Sequence, residues 1–245
     1  MNKEFEKRRR KLAKLIGKDG IAVIPTASTR VRSRDTDYPY RPDSDFYYFT
    51  GFSEPNAVMI LAPGREDGSF IVCLREKNPL TEIWDGHMEG LNGVKKNYEA
   101  DQSFDIEDLE TILTSLFLGR QKVFFTLGQD EVLDKILMKS FNAVRAGQRR
   151  GGVVPSEIQA LEPLVHEMRL IKSKYEIGFM KNQRRYQWML ISEYSRIVNL
   201  AYSNIRLKQI LFMNLGNMAQ CPHTRALLRL VKMHAHFITS AIVTK

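Results

Sequence analysis

The spacing of apolar residues changes several times along the chain, and each change marks an element. Glu4 to Ile16 puts Phe5, Leu12, Leu15 and Ile16 on one helical face, and Gly17 and Gly20 end the pattern. The arginines Arg8 to Arg10 on this helix are expected on its solvated face. Ile21 to Pro25 is a short unbroken apolar run, the pattern of a buried strand. Thr26 to Asp37 is polar, with Arg30, Arg32 and Arg34 on alternate positions, as in a strand or extended loop facing solvent. Ala57 to Ala62 and Ser69 to Arg75 are β-rich runs joined by P-G-R-E-D-G, which predicts a hairpin with Cys73 buried in its second arm.

Later segments alternate in the same way. The stretch N-P-L-T-E-I-W-D-G-H-M-E-G-L-N-G-V is rich in Gly and reads as partly loop. Phe104 to Phe117 carries Ile106, Leu109, Ile112, Leu113 and Leu116 at helical spacing, with Ser103 as cap. Lys122 to Leu127 predicts a strand, and Glu131 to Val144 an amphipathic helix. Pro155 to Leu161 opens a short helix, and Leu164 to Ile171 follows it. Alternation of strands and helices indicates an α/β domain, and the hairpin makes its sheet mixed, flanked by helices.

The densest aromatic stretch lies between Tyr38 and Ala57, and the rest is organised around it. Tyr38, Tyr40, Phe46, Tyr47, Tyr48, Phe49 and Phe52 fall within it. Ser44 or Asp45 suits a helix N-cap, Asp43 stands beside them, and Gly51 suits a stop. Pro55 forbids continuation of the helix. A short aromatic helix with a turn into the strand at Ala57 follows.

Composition narrows the classes. The chain has 245 residues, 43% hydrophobic and 27% charged, an ordinary globular balance with length enough for a sizeable core. No apolar run is long enough to cross a membrane, and the charged Met1 to Arg10 precedes no apolar leader. Cys73 and Cys221 offer neither a disulfide framework nor a zinc pattern, so a cytoplasmic location is expected. The formal charge of +9 suggests nucleic acid until its placement is considered. Residues 183–245 hold nine basic residues and the single acid Glu193, while the remainder holds 28 basic and 27 acidic residues. The body is near neutral and the tail carries the charge.

No catalytic constellation is present. G-x-S-x-G, the Walker loop, G-x-G-x-x-G and H-E-x-x-H are all missing. His87, His166, His223, His234 and His236 are the histidines, and only His234 and His236 stand close enough in sequence to suggest a weak metal pair. Asp43 and Asp45 read as caps of the aromatic helix, and Asp35 and Asp37 as solvated.

The string R-P-D-S-D-F-Y-Y-F-T-G-F-S-E-P-N-A resembles the amino-terminal domain of Xaa-Pro aminopeptidases, the aminopeptidase P family. T-E-I-W-D-G-H-M-E-G resembles that family's E-I-W-x-G-x-x-x-G loop, and V-H-E-M-R-L-I-K-S-K-Y-E-I resembles its interdomain junction. The resemblance runs from about Glu4 to about Lys181. It implies a mixed sheet flanked by helices. It also implies catalysis in a second domain, where two Asp, one His and two Glu hold a pair of manganese ions that activate a hydroxide against the bond before proline. All five ligands lie beyond the junction, so no catalytic and no metal residue can be assigned to this chain. In bacterial members the subunits form tetramers, and the Trp of the E-I-W loop approaches a neighbour's active site. The matching residue is Trp84, which otherwise would be a packed side chain. His87 and Arg145 are weaker candidates.

After Lys181 the resemblance stops, and out-of-frame translation from about Lys181 to Gln183 is the expectation. Reading the last base of each codon with the first two of the next, Arg184 to Ser192 permits A-I-S-M-D-A-H-I, against the family's A-x-I-S-x-x-A-H. The Trp188–Met189 pair forces Asp there. Pro222 to Ile238 permits A-Y-T-S-I-V-A-S-G-E-N-A-C-T-L-H, against P-x-Y-x-x-I-V-x-x-G-x-N-x-x-x-L-H-Y, and Met233–His234 forces Ala. The alternative is a genuine divergent helical tail. The expected division is residues 1–165 for the amino-terminal domain, 166–182 for the junction and the start of a catalytic domain, and 183–245 for the basic tail.

The sequence therefore reads as a truncated Xaa-Pro aminopeptidase without peptidase activity of its own. No cofactor is expected in this chain, the two manganese ions and the peptide substrate belonging to the intact family. A non-catalytic self-associating module is the first rival, and nucleic-acid binding through the tail the second. Tyr186, Trp188, Tyr194, Tyr202, Phe212 and Phe237 are scattered without the pattern that base stacking requires, so neither nucleic acid nor membrane is expected as a partner. A creatinase-type relative shares the two-domain plan but fits the aromatic string less well.

Overall fold

A computed structural model describes residues 2–147 and 153–201 of the chain. Its contacts divide the chain into two units, residues 1–171 and 172–245. The first unit is built on a six-stranded sheet in the order β6-β5-β4-β1-β7-β8. The strands are β1 (Gly20–Pro25), β4 (Val58–Leu61), β5 (Phe70–Leu74), β6 (Gln102–Asp105), β7 (Lys122–Phe125) and β8 (Glu157–Ala160). A separate ribbon pairs β2 (Val31–Ser33) with β3 (Thr36–Asp37). The helices are α1 (Asn2–Ile16), α2 (Ser44–Thr50), α3 (Pro79–Asp85), α4 (Gly90–Tyr98), α5 (Leu109–Phe117), α6 (Glu131–Gly147) and α7 (Glu162–Leu170).

β4 runs antiparallel to both β1 and β5, while β5–β6, β1–β7 and β7–β8 are parallel, so the sheet is mixed as the hairpin predicts. Strand alternation sends successive side chains to opposite faces. Ala22, Ile24, Met59, Leu61, Val72, Leu74 and Phe124 meet Leu12 and Ile16 of α1, Phe46 and Phe49 of α2, Val94 of α4, and Val165 and Met168 of α7. Ile21, Val23, Val58, Ile60, Ile71, Cys73, Val123 and Phe125 meet Leu113 and Phe117 of α5 and Leu137 and Phe141 of α6. The result is a three-layer unit with a core on each face of the sheet.

α2 forms where the aromatic stretch predicts it. The Asp43 carboxylate accepts from the amides of Asp45 (2.8 Å) and Phe46 (3.1 Å), so Asp43 is the cap and Ser44 and Asp45 lie inside the helix. Asp45 instead pairs with Arg169 of α7. Gly51 ends the helix at φ +68°, its N–H returning to the Tyr47 carbonyl at 2.9 Å.

Three expectations are corrected. Residues 102–105 form β6, so Ser103 is a strand residue, and α5 begins only at Leu109 after the 3-10 turn Ile106–Asp108. Residues 157–160 form edge strand β8 rather than a helix. The Gly-rich stretch after β5 is partly loop, as expected, with residues 86–89 linking α3 to α4. Arg8 and Arg9 are buried while Arg10 is exposed. Arg9 Nη1 donates to the Phe49 carbonyl (2.9 Å) with its guanidinium 3.9 Å from the Phe70 ring, and Arg8 lies 4.1 Å from the Tyr48 ring. Both guanidiniums thus lie against aromatic rings.

In the second unit, α8 (Lys174–Ala201) carries the junction sequence into the first part of the basic tail. Ser173 caps it, accepting from the Glu176 amide at 3.3 Å while its own amide donates to the Glu176 carboxylate at 2.8 Å. Residues 202–245, including Cys221, His223, His234 and His236, lie outside the described residues. No helix among the described residues is long and apolar enough to cross a membrane.

Candidate functional site

The side chain singled out by sequence, Trp84, stands on α3 and is 87% exposed. Leu80 and Ile83 on the same short helix are 72% and 73% exposed. Their i, i+3, i+4 spacing makes one apolar strip, turned to solvent instead of the core. None of the described side chains of α3 is buried. The alternative reading of Trp84 as a packed side chain is therefore corrected.

Polar contacts hold α3 in this orientation. Asn78 caps it, accepting from the Leu80 amide at 2.9 Å, and Pro79 occupies its first turn. Thr81 Oγ1 donates to the Asn78 carbonyl at 2.9 Å. Glu82 Oε1 accepts from the Met88 amide at 2.8 Å and lies 2.9 Å from Lys77 Nζ and 3.4 Å from His87 Nδ1. The Met88 amide and then Lys77 hold the Glu82 carboxyl below the ordinary range of a glutamate. Gly86 closes the helix at φ +86°, with its N–H on the Glu82 carbonyl at 3.1 Å.

The next amide is held by a second carboxylate. Glu54 Oε1, on the turn after α2, accepts from the Glu89 amide at 2.8 Å. Burial pushes the Glu54 carboxyl up, against the opposing effect of that hydrogen bond. Met88 between these anchors is buried. Two glutamates thus capture successive amides at the entrance to α4, and the segment between β5 and α4 is tied to the body of the domain.

His87 joins this network through Glu82, whereas Arg145 stands exposed on the last turn of α6, a separate element. Arg30, Arg32, Arg34, Asp35 and Asp37 are all exposed on or beside the β2–β3 ribbon, as expected. Sequence reading passed over Glu82 and Glu54. An acid in T-E-I-W or F-S-E-P looks like any solvated glutamate, and only the fold brings each to an amide. Among the described residues, no group of three His, Cys, Asp or Glu side chains comes together to hold a metal ion.

The arrangement presents one aromatic and two aliphatic side chains on a braced helix. Comparisons with known proteins bear on the domain that carries it. Residues 5–125 match the family model of the aminopeptidase P N-terminal domain. The chain is 33% identical over 179 residues to the Xaa-Pro aminopeptidase of Escherichia coli strain K12, covering 73% of this chain and 41% of that protein. It is 28% identical over 178 residues to the mitochondrial intermediate cleaving peptidase 55 of Arabidopsis thaliana, covering 73% of this chain and 34% of that one. The solved Pseudomonas aeruginosa aminopeptidase PepP superposes with a TM-score of 0.70 at 40% identity, over 73% of this chain and 40% of that chain. The chain thus spans about two-fifths of the length of the first of these relatives.

Proposed function

Residues 5–125 belong to the aminopeptidase P N-terminal domain family, and from that premise we propose that this chain is the amino-terminal domain and junction of a Xaa-Pro aminopeptidase followed by an out-of-frame remnant. One observation carries the reading: similarity covers 73% of this chain but only 41% of the Escherichia coli protein. The two shifted-frame matches, Arg184 to Ser192 and Pro222 to Ile238, support a frameshift over a divergent tail. The nucleotide sequence from Met168 onward tests it. A shifted frame that runs on into a metal-ligand domain is the expected result. Stops closing that frame within a few codons would overturn it.

In this proposal the intact family's activity is manganese-dependent release of an N-terminal residue that precedes proline. This chain contributes the supporting domain and is inactive alone. Purified chain with added manganese should leave a proline-second peptide uncut, and turnover would refute the assignment. A cytoplasmic location belongs to the same proposal, supported by the buried, unpaired Cys73.

The second element of the proposal is self-association through α3. The exposed strip Leu80, Ile83 and Trp84 supports it, because such a strip gains from being covered. In an intact enzyme Trp84 would then contact a neighbour's substrate site, whereas here it serves as a docking residue. Sedimentation velocity of wild type and Trp84→Ala tests this, with the variant expected to shift to monomer.

A further inference from the structure

Arg120 stands where three neighbouring strands meet at one end of the sheet. It lies just ahead of β7, beside the start of β1 and the exit of β4, at the end opposite the one from which α3 leaves. Its Nη1 donates to the Pro63 carbonyl at 2.6 Å, to the Lys18 carbonyl, and to the Gly20 carbonyl at 3.4 Å. Backbone oxygens therefore fix this guanidinium, and they supply acceptors without a full counter-charge. Burial first, then the charge of Arg65, holds Arg120 below its ordinary value, with Asp19 acting in the other direction.

Arg65 is the second cation, two residues beyond Pro63 on the β4–β5 turn. Its Nη1 is sealed from solvent and has no hydrogen-bond partner among the described residues. Its Nη2 lies 3.7 Å from Asp67 Oδ2, on a side chain that is 74% exposed, which is a loose surface pair. A buried donor without an acceptor is unfavourable, so Arg65 gains when an oxyanion draws its fork outward. Lys18 is the third cation. Its stem runs along the same turn, where a Cβ added at Gly64 would stand 3.6 Å from Lys18 Cβ and Cγ. Lys18 is exposed and makes no ion pair among the described residues. Asp19, Glu66 and Asp67 are the acids nearby in sequence, all exposed, and only Asp67 reaches ion-pair distance of any of the three cations.

We infer that Lys18, Arg65 and Arg120 form an oxyanion site that takes a phosphate group between the start of β1 and the β4–β5 turn. Two guanidinium forks and one ammonium ask for a ligand with three or more acceptor oxygens and more than one negative charge. A phosphate meets that demand, whereas a single carboxylate offers two oxygens and one charge. Arg120, already held by the three carbonyls, needs no reordering when the ligand arrives. The site is independent of the peptidase reading, and it uses none of the residues of the α3 segment.

The test titrates the full chain with inorganic phosphate and, separately, with O-phosphoserine, at constant ionic strength set by sodium chloride. The backbone amides of Gly64 and Gly119 and the arginine Nε–H signals are followed by NMR. Saturable shifts at these positions are expected, with a dissociation constant on the order of millimolar. Arg65→Met should weaken binding by about tenfold and Lys18→Met by about threefold. Arg65→Lys keeps the charge without the fork and should fall between wild type and Arg65→Met. Arg120 is left intact, because its carbonyl contacts join β1 to the β4–β5 turn. Lys11→Met, on an exposed α1 side chain away from the turn, should bind like wild type. Tighter binding of phosphoserine supports a phosphoryl group carried on a larger ligand, and tighter binding of inorganic phosphate supports the free ion. Shifts that do not saturate, or that sodium chloride alone reproduces, would overturn the site. So would Arg65→Met and Lys18→Met that both bind like wild type.

Discussion

The phenol of Tyr48 donates to the carbonyl of Met168 at 3.2 Å, so the aromatic helix grips the end of α7 across 120 residues of sequence. Arg8 and Arg169 place their guanidiniums 4.1 and 5.9 Å from the same ring, and Arg169 pairs with Asp45 one turn earlier on α2. Two stretches that sequence singles out separately, the aromatic string and the M-R-L-I-K-S junction, are therefore the two halves of one cluster. Tyr48→Phe keeps the ring and removes only the hydrogen bond, and should cost about 1 kcal/mol. Arg169→Met should cost about 0.5–1 kcal/mol, because the pair it breaks is partly exposed. Hydrogen exchange of the sheet amides in urea measures both. Since both changes act on the same end of α7, the double variant should lose less than the sum. Full additivity would mean that two separate contacts, not one cluster, hold the helix.

Gly51 makes a second prediction, because it is constrained twice. Its φ of +68° lies in the left-handed region, and an added Cβ would fall 2.3 Å from Phe5 Cε2. Gly51→Ala should therefore destabilise the domain by about 2 kcal/mol or more, strain and steric overlap acting together. Phe5→Leu shortens the opposing side chain, so it should be harmful in the wild-type background and less harmful beside Gly51→Ala. Thermal melts of the four-member cycle check this. Equal effects of Phe5→Leu in both backgrounds would show that the overlap relaxes without cost.

These two sites also mark how far the sequence could be read. The cap, the aromatic run and Gly51 lie within one short stretch, so α2 was legible from local chemistry. The β4–β5 hairpin and α6 were legible for the same reason, their periodicity being strong and their partners near in sequence. Edge strands β6 and β8 were not. Q-S-F-D and E-I-Q-A carry little β preference, and their pairing is parallel to strands some distance away in sequence, Ile71 to Gln102 and Lys122 to Glu157 among the partners. Arg8 and Arg9 were misread because charge hides what an aromatic ring can cover. At the candidate site, Trp84 was legible through the E-I-W motif, but the two glutamates that brace its segment were not. Their partners are backbone amides, which no side-chain pattern reveals.

Those two glutamates should titrate in opposite senses. Glu54 is raised by burial, so the folded chain takes up this proton at a higher pH than the unfolded chain does. Its contribution to stability therefore grows as pH falls from neutral through the folded-state value, and it is unfavourable above that. Glu82 is lowered by the Met88 amide and Lys77, so its contribution is present above the ordinary glutamate range and is lost as pH falls through the folded-state value. Glu54→Gln keeps an acceptor for the Glu89 amide and removes the charge. It should exceed wild type in stability at pH 7, and the gap should close as the pH drops to the carboxylate range. Glu82→Gln should do the reverse, being less stable at pH 7 and converging on wild type in acid. Urea midpoints at pH 7 and in acid read both, and a shared direction for the two variants would contradict the opposed environments.

Cys73 offers a prediction about access. It lies on β5 with no exposed surface, and burial first, then Asp108 and Asp105, push its thiol up to about 12. Thiolate is the species that attacks a disulfide reagent, so both the pKa and the burial oppose reaction. With Cys221→Ala to remove the other cysteine, native protein at pH 8 should react with an aromatic disulfide at least about a thousandfold more slowly than a free thiol. In denaturing urea the same thiol should react fully. β5 sits between β4 and β6, its Val72 opposite Met59 on one side and Ser103 on the other. Exposing Cys73 therefore requires opening the sheet, so the native rate should track global stability and rise in Gly51→Ala. A native rate close to that of a free thiol, unchanged by Gly51→Ala, would mean that β6 and the edge it protects detach without unfolding the core.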